Sequence, residues 1–209
     1  MAKGCLALAL FPLWLFGTSA ATEAHWSAEI FAGTAHSFST DITINQEDSQ
    51  ELRFSANYES KSFQTPIYYA WRVGRWSNGV AWEVELIHLK VFVTNNPSEV
   101  EHFGISHGYN LLLFNRAWHL QDWILRAGGG AVIAHPETMI RGKSSEPGYG
   151  LTGPSGQFAA GRRWHFGKRL FGSVEGKITV ARARVSIAQG RATVPNFAIH
   201  GLFGLGFDL

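Results

Sequence analysis

Apolar and polar side chains alternate with a period of two along most of this chain, most clearly over 61–93, KSFQTPIYYAWRVGRWSNGVAWEVELIHLKVFV. In the first half Ile67, Tyr69, Trp71 and Val73 share one side while Tyr68, Ala70, Arg72 and Gly74 share the other, the periodicity of a strand. In the second half Trp82, Val84 and Leu86 alternate with Glu83 and Glu85. Both carboxylates therefore fall on the side of Arg72. Ser77-Asn78-Gly79 lies between the halves and supplies a tight turn, so the stretch predicts a hairpin whose arms are long enough to cross a bilayer at a tilt.

The same alternation places strands near 26–36, 63–76, 80–93, 107–117, 122–134, 155–166, 170–182 and 195–208. Short connections fall at Ser77, His119 and Gly167, and long ones at 37–62, 94–106, 135–154 and 183–194. Sorting short turns to one side and long loops to the other is the habit of an outer-membrane barrel with both termini in the periplasm. A water-soluble sandwich alternates too, but has no reason to sort its loops. The prediction is an all-β protein, an eight-stranded antiparallel transmembrane β-barrel of the outer-membrane type. In the last strand Phe197, Ile199, Phe203, Leu205, Phe207 and Leu209 oppose Asn196, His200, Gly204, Gly206 and Asp208. That pattern resembles the signal read by outer-membrane assembly machinery, although Leu209 stands where an aromatic is usual. Trp76, Trp82, Trp118, Trp123, Trp164 and Phe166 sit at strand ends, where an interfacial girdle belongs.

Ahead of the first strand come Lys3, an apolar run over 6–16 interrupted by Pro12, and the small residues Thr18, Ser19, Ala20 and Ala21. This reads as a secretory signal peptide, giving 1–20 as signal and 21–209 as one barrel domain. The sole cysteine, Cys5, leaves with the signal, which excludes disulfides and thiol catalysis from the mature chain. Lys and Arg number 18 against 16 Asp and Glu, so nothing invites nucleic acid. Charged residues are only 16% while Gly reaches 23 positions, a balance suited to a barrel wall.

Four carboxylates, Glu29, Glu83, Glu85 and Glu175, fall on inward positions with Arg72, Arg126, Arg163 and Lys177. An eight-stranded barrel is too narrow for an aqueous pore, so these charges either pair as a plug or form a buried acid/base centre. Histidines gather toward the extracellular rim: His36, His88, His102, His107 and His135. With a rise of about 3.3 Å per residue and a tilt of about 40°, His88 stands roughly 20 Å above Val80. His88 and Lys90 share the face of Trp82, which is the lipid side unless a bulge reverses the register.

In an outer leaflet they would meet lipid A phosphates and sugars. Lys90 and Arg141 suit a phosphate, and His88 suits a sugar hydroxyl; the competing reading is a snorkelling lysine and an idle histidine. His36, His88, His107 and His135, with Glu137 as an oxygen ligand, also suit a metal, though no pair shows tight ligand spacing. A serine hydrolase would have to use Ser106-His107, which lacks an evident acid in the sequence.

The blocks KSFQTPIYYAWR, ELIHLKVFV, HGYNLLLFN, AHPE and LTGP, in that order and spacing, resemble the outer-membrane lipid A oxidase family of small β-barrels. The likeness covers about 54–209 and is densest over 61–115. It implies an enzyme that oxidises the proximal glucosamine of lipid A, once the anomeric phosphate is absent, to 2-aminogluconate with molecular oxygen. The matching positions are Lys61, Pro66, Tyr68, Tyr69, Arg72, His88, Lys90, Asn110, His135, Glu137, Thr152, Gly153 and Pro154, with His107 replacing an acidic residue of the pattern. Such an oxidation needs a base and an electron acceptor, and oxygen reacts slowly without a metal or flavin. No flavin-binding pattern is present. The resulting expectation assigns His88 and Lys90 to catalysis, Lys61, Tyr68 and Arg141 to substrate, and His36, His107, His135 and Glu137 to a divalent metal. Oxygen is the expected co-substrate, lipid A in the outer membrane the partner, and a monomer the working form. A structural or adhesive barrel without chemistry is the alternative, and a different lipid A-modifying enzyme such as a deacylase ranks below it.

Overall fold

The computed structural model describes residues 24–209; the expected signal peptide lies outside the described residues. The chain enters with β1 (His25–Ser37), leaves the wall for β2 (Thr40–Gln46), β3 (Leu52–Ala56) and β4 (Tyr58–Glu59), and returns through β5 (Tyr69–Ser77) and β6 (Val80–His88). A second excursion holds β7 (Val91–Val93) and β8 (Val100–Ile105), and is followed by β9 (Tyr109–Leu120) and β10 (Trp123–Ala134). A third holds β11 (Glu137–Ile140) and β12 (Lys143–Ser145), after which β13 (Gly150–His165), β14 (Leu170–Ile187) and β15 (Gly190–Asp208) complete the chain.

Eight strands form the wall in the order β1-β5-β6-β9-β10-β13-β14-β15, all antiparallel, and β15 closes on β1 from Ser27↔Asp208 to Ser37↔Ala198. Closure leaves no unpaired edge in the bilayer. The expected turn joins β5 to β6, with Asn78 and Gly79 at φ 52° and 74°, the left-handed pair that a two-residue hairpin loop requires. Outward positions carry exposed Ile30, Phe114, Phe158, Val180, Ile199 and Phe203, a continuous surface for acyl chains. Exposed Trp82, Trp118, Trp123, Trp164 and Phe166 border it near the short turns. Trp76, expected in that girdle, instead turns inward; it is buried and its Nε1 donates to Ser27 Oγ at 3.1 Å.

The inward charges form the plug. Arg72 reaches Glu29 at 3.2 Å, Glu85 at 3.1 Å and Glu175 at 2.6 Å, and Arg126 reaches Glu83 at 2.8 Å and Glu175 at 2.6 Å. Arg163 holds Glu29 at 2.6 Å, while Lys177 bridges Glu85 and Glu175. Every carboxylate has a guanidinium or ammonium partner, which is what removal from water demands.

Above the wall the structure departs from the long loops the sequence suggested. The connections at 37–62, 94–106 and 135–154 contain strands, and 183–194 is not a loop: β14 and β15 run on to a tight turn at Ala188-Gln189. β2 and β3 extend the β14–β15 sheet, and β12-β11-β8-β7-β4 form a second sheet. Ile42, Ile44, Val185 and Val194 from one sheet share a buried core with Val91, Phe103, Ile105 and Ile140 from the other. An apolar cap therefore sits over the barrel mouth. Tyr109 ties the layers, its hydroxyl donating to the Val194 carbonyl at 2.9 Å and accepting from the Ala183 amide at 3.1 Å. The expected strand at 63–76 begins only at Tyr69, because Pro66 has no amide for the ladder.

Candidate functional site

Two wall strands break at the same height. Ser106, His107 and Gly108 separate β8 from β9, and His135 and Pro136 separate β10 from β11. Below the breaks β9 pairs with β10 up to Tyr109↔Ala134, and above them β8 pairs with β11 from Gly104↔Glu137. Pro136 cannot donate to a ladder, and Gly108 has φ 128°, open only to glycine. A single backbone bond, from the His135 amide to the Gly108 carbonyl at 3.2 Å, crosses the gap. The side chains of the two breaks are thereby pressed together.

The His107 and His135 rings stack with centroids 4.9 Å apart. Glu137 Oε1 accepts hydrogen bonds from Ser106 Oγ and His107 Nδ1. One potential ligand atom from each of His107, His135 and Glu137 lies within 4.8 Å of the other two. Neither nitrogen of His135 has a hydrogen bond; Nε2 is 3.3 Å from Glu146 Oε1 but misaligned for one. Tyr149 flanks the group, donating to the His107 carbonyl at 2.9 Å and meeting the His135 ring edge-on at 4.8 Å. Burial acts to raise the Glu137 carboxyl, but the Ser106 and His107 hydrogen bonds and the charge of both imidazoles hold it below the usual carboxylate range.

His88 stands on β6, the strand paired with β9 beside the His107 break. It is the last residue of β6 and pairs with Tyr69, whose ring stacks on it at 4.9 Å. Its Nδ1 meets Asn110 Oδ1 at 2.8 Å, and its Nε2 is buried without a partner. The register keeps His88 on the outer face with Trp71 and Leu86. Direct contact with head groups, however, does not hold as expected: His88 is 4% exposed and Lys90 3%. Lys90 Nζ donates to the Gln64 carbonyl at 2.7 Å, tucked under the segment before β5. Lys61 is near enough to act on the Lys90 charge, and its Nζ lies 4.5 Å over the Phe92 ring and 3.9 Å from Glu59.

Three expected members belong elsewhere. Tyr68 points into the barrel, where its hydroxyl meets His200 Nδ1 at 2.8 Å; an inward register position cannot serve an outer-face substrate. Arg141 occupies the β11–β12 turn and joins the cap layers, donating to Gln46 Oε1 at 3.3 Å and the Gln50 carbonyl at 3.1 Å. His36 is exposed on β1, edge-on to Phe38 at 5.0 Å, and is outside the His107–His135–Glu137 group. In the other direction, Ser106-His107 does have an acid nearby, in Glu137. Serine and acid both contact Nδ1, however, whereas a proton relay needs them on opposite ring nitrogens. Tyr149 and Glu146 have no role that the sequence discloses; both lie in the connection between β12 and β13, with no periodicity to flag them.

A closed cylinder, apolar outside and ion-paired within, makes this chain an eight-stranded β-barrel of the bacterial outer membrane. No protein-family model matches the chain, and no curated protein matches it. Among solved structures it is similar to Ail, the attachment invasion locus protein of Yersinia pestis, at 10% identity and a TM-score of 0.40 over 90% of this chain and 100% of that one. Ail in complex with the heparin analogue sucrose octasulfate gives 11% and 0.41 over the same shares. Neisserial surface protein A gives 8% and 0.37 over 87% of this chain and 98% of that one. Likeness this low transfers no residue role.

Proposed function

We propose that this barrel is an outer-leaflet enzyme that oxidises the reducing-end glucosamine of lipid A. The observation that carries the reading is the grouping of His107, His135 and Glu137 at the foot of the cap, next to His88 on the outer face of β6, a position suited to glycolipid head groups. The sequence resemblance to lipid A oxidases supports the same substrate.

The reaction balances with oxygen as co-substrate. The C1 hemiacetal gives up its hydroxyl proton and its C1 hydrogen with the bonding electron pair; oxygen takes up both electrons and both protons as hydrogen peroxide. Water then opens the resulting lactone to 2-aminogluconate. His88 is suited to take the hydroxyl proton, because Asn110 occupies Nδ1 and leaves Nε2 without a partner. Tyr69 fixes the ring by stacking and is itself exposed to lipid; because His88 is covered, the sugar must displace part of that cover to reach Nε2. Lys61, 32% exposed, is placed to hold an anionic group of the lipid, with Lys90 beneath it. His107, His135 and Glu137 are the residues able to hold a metal, which when bound would supply the electron path to oxygen.

Mass spectrometry of lipid A from cells with and without the gene, in a background lacking the anomeric phosphate, tests this: a gain of one oxygen per molecule is expected, and none with His88→Ala. A second reading, a binding or structural barrel without chemistry, draws on the ordered two-sheet cap, which presents a folded extracellular surface. Unchanged lipid A from cells holding folded protein would favour it. Loss of an acyl chain instead would point to a deacylase.

A further inference from the structure

We infer that His107, His135 and Glu137 form a binding site for one divalent first-row transition metal, ferrous iron by preference, on the outer wall of the barrel. The inference deepens the oxidase reading and rests on it for the metal's use, but metal binding itself stands on the geometry.

Three observations converge. The donor set is two imidazoles and one carboxylate, the combination that leaves coordination positions open for oxygen and substrate in non-haem iron sites. At metal bonds of about 2.1 Å, three ligand atoms on one face stand about 3.0–3.4 Å apart; here they already lie within 4.8 Å of one another, a gap that side-chain rotation closes. The backbone dictates the convergence, since the breaks at Gly108 and Pro136 face each other across the β9–β10 pair.

Second, His135 is mostly enclosed, with its side chain 13% exposed, yet neither ring nitrogen makes a hydrogen bond. An imidazole shielded from water whose nearest carboxylate, Glu146, is not aligned for a hydrogen bond has an unmet need, and an ion coordinated by one nitrogen meets it.

Third, the carboxylate is oriented from behind. Ser106 Oγ donates to Glu137 Oε1, the outer-shell support typical of ligating carboxylates. Tyr149 holds the His107 backbone from the other side. Glu146, 62% exposed and beside His135, is free to swing toward an ion from solvent.

The experiment uses full-length protein folded in detergent micelles, with folding checked by heat-modifiable gel mobility. Anaerobic titration with ferrous iron should load one equivalent per chain, and nitric oxide should then give the electron paramagnetic resonance signal of a high-spin ferrous nitrosyl. His135→Ala and Glu137→Gln should each weaken binding at least ten-fold, Ser106→Ala about ten-fold, and His36→Ala should change nothing. If His135→Ala does not fold, His107→Gln, at a side chain 54% exposed, carries the test. No binding by folded wild type, or equal binding by the ligand variants, overturns the inference. Stoichiometric iron with unaltered lipid A removes the oxidase and leaves the metal site; 2-aminogluconate made by metal-free protein keeps the oxidase and overturns the use of the metal in it.

Discussion

At the scale of single residues, the arrangement around His88 depends on two small neighbours. Asn110 engages Nδ1, and the chain turns toward it at Gly108, where a Cβ would come 2.3 Å from Asn110 Oδ1. Since φ is 128° there as well, Gly108→Ala costs stability twice, in backbone strain and in displacement of Asn110, at about 1–3 kcal/mol. His88 would then lose the partner that fixes its ring. The expected outcome is folded barrel with product formation reduced about ten-fold or more, read as the ratio of 2-aminogluconate to glucosamine in extracted lipid A. Asn110→Leu should reproduce the loss without backbone strain. A variant that keeps its full product yield would remove Asn110 as the residue positioning His88.

Elements explain what the sequence discloses and what it hides. Wall strands are long and separate two chemically different faces, so the contrasts of Trp71 with Arg72 and of Val84 with Glu85 are enough to set register, turn and plug from residue types alone. The cap strands are short. TDITINQ over Thr40–Gln46 does alternate Ile42 and Ile44 with polar residues, but a run of that length competes with the turn residues around it and reads as loop. In its partner, the upper part of β14 and β15, the membrane pattern ends at 182 although the ladder does not, so periodicity alone stops the strand too soon. The candidate site is legible in residue types at His88, His107, His135 and Glu137. Its membership is not, because the Tyr69 ring stacked on His88 and the place of β1 between β15 and β5, away from β9 and β10, follow from strand order, which has no local signature. The cap's independence is testable. Phe103→Ala removes a buried ring from between the sheets, a loss of about 3–5 kcal/mol. That core continues down the lumen through Leu111, Leu113 and Leu202, but the wall keeps its own closed ladder, so limited proteolysis should open the cap while the barrel keeps its heat-modifiable mobility; simultaneous loss of both would show one cooperative unit.

For the whole molecule, the question is whether the cylinder conducts. Its middle is filled by four carboxylates interlocked with four cations, and its upper mouth is covered by an apolar two-sheet core. An ion crossing would have to break pairs held at 2.6–3.2 Å and then pass beneath buried aliphatic side chains. Reconstituted protein should therefore show no single-channel conductance in a planar bilayer. The same plug concentrates stability on Arg72, which contacts Glu29, Glu83, Glu85 and Glu175 at once. Arg72→Ala leaves carboxylates stranded in a medium that solvates them poorly, and removing one member of such a buried group costs about 3–5 kcal/mol. Urea unfolding in micelles, followed by tryptophan fluorescence, should register that loss. Buried pairs are screened far less than exposed ones, so the wild-type midpoint should hardly move when salt rises from about 0.1 to about 1 M. A midpoint that falls steeply with salt would mean water and ions reach the plug, and the mouth would then be open from one end.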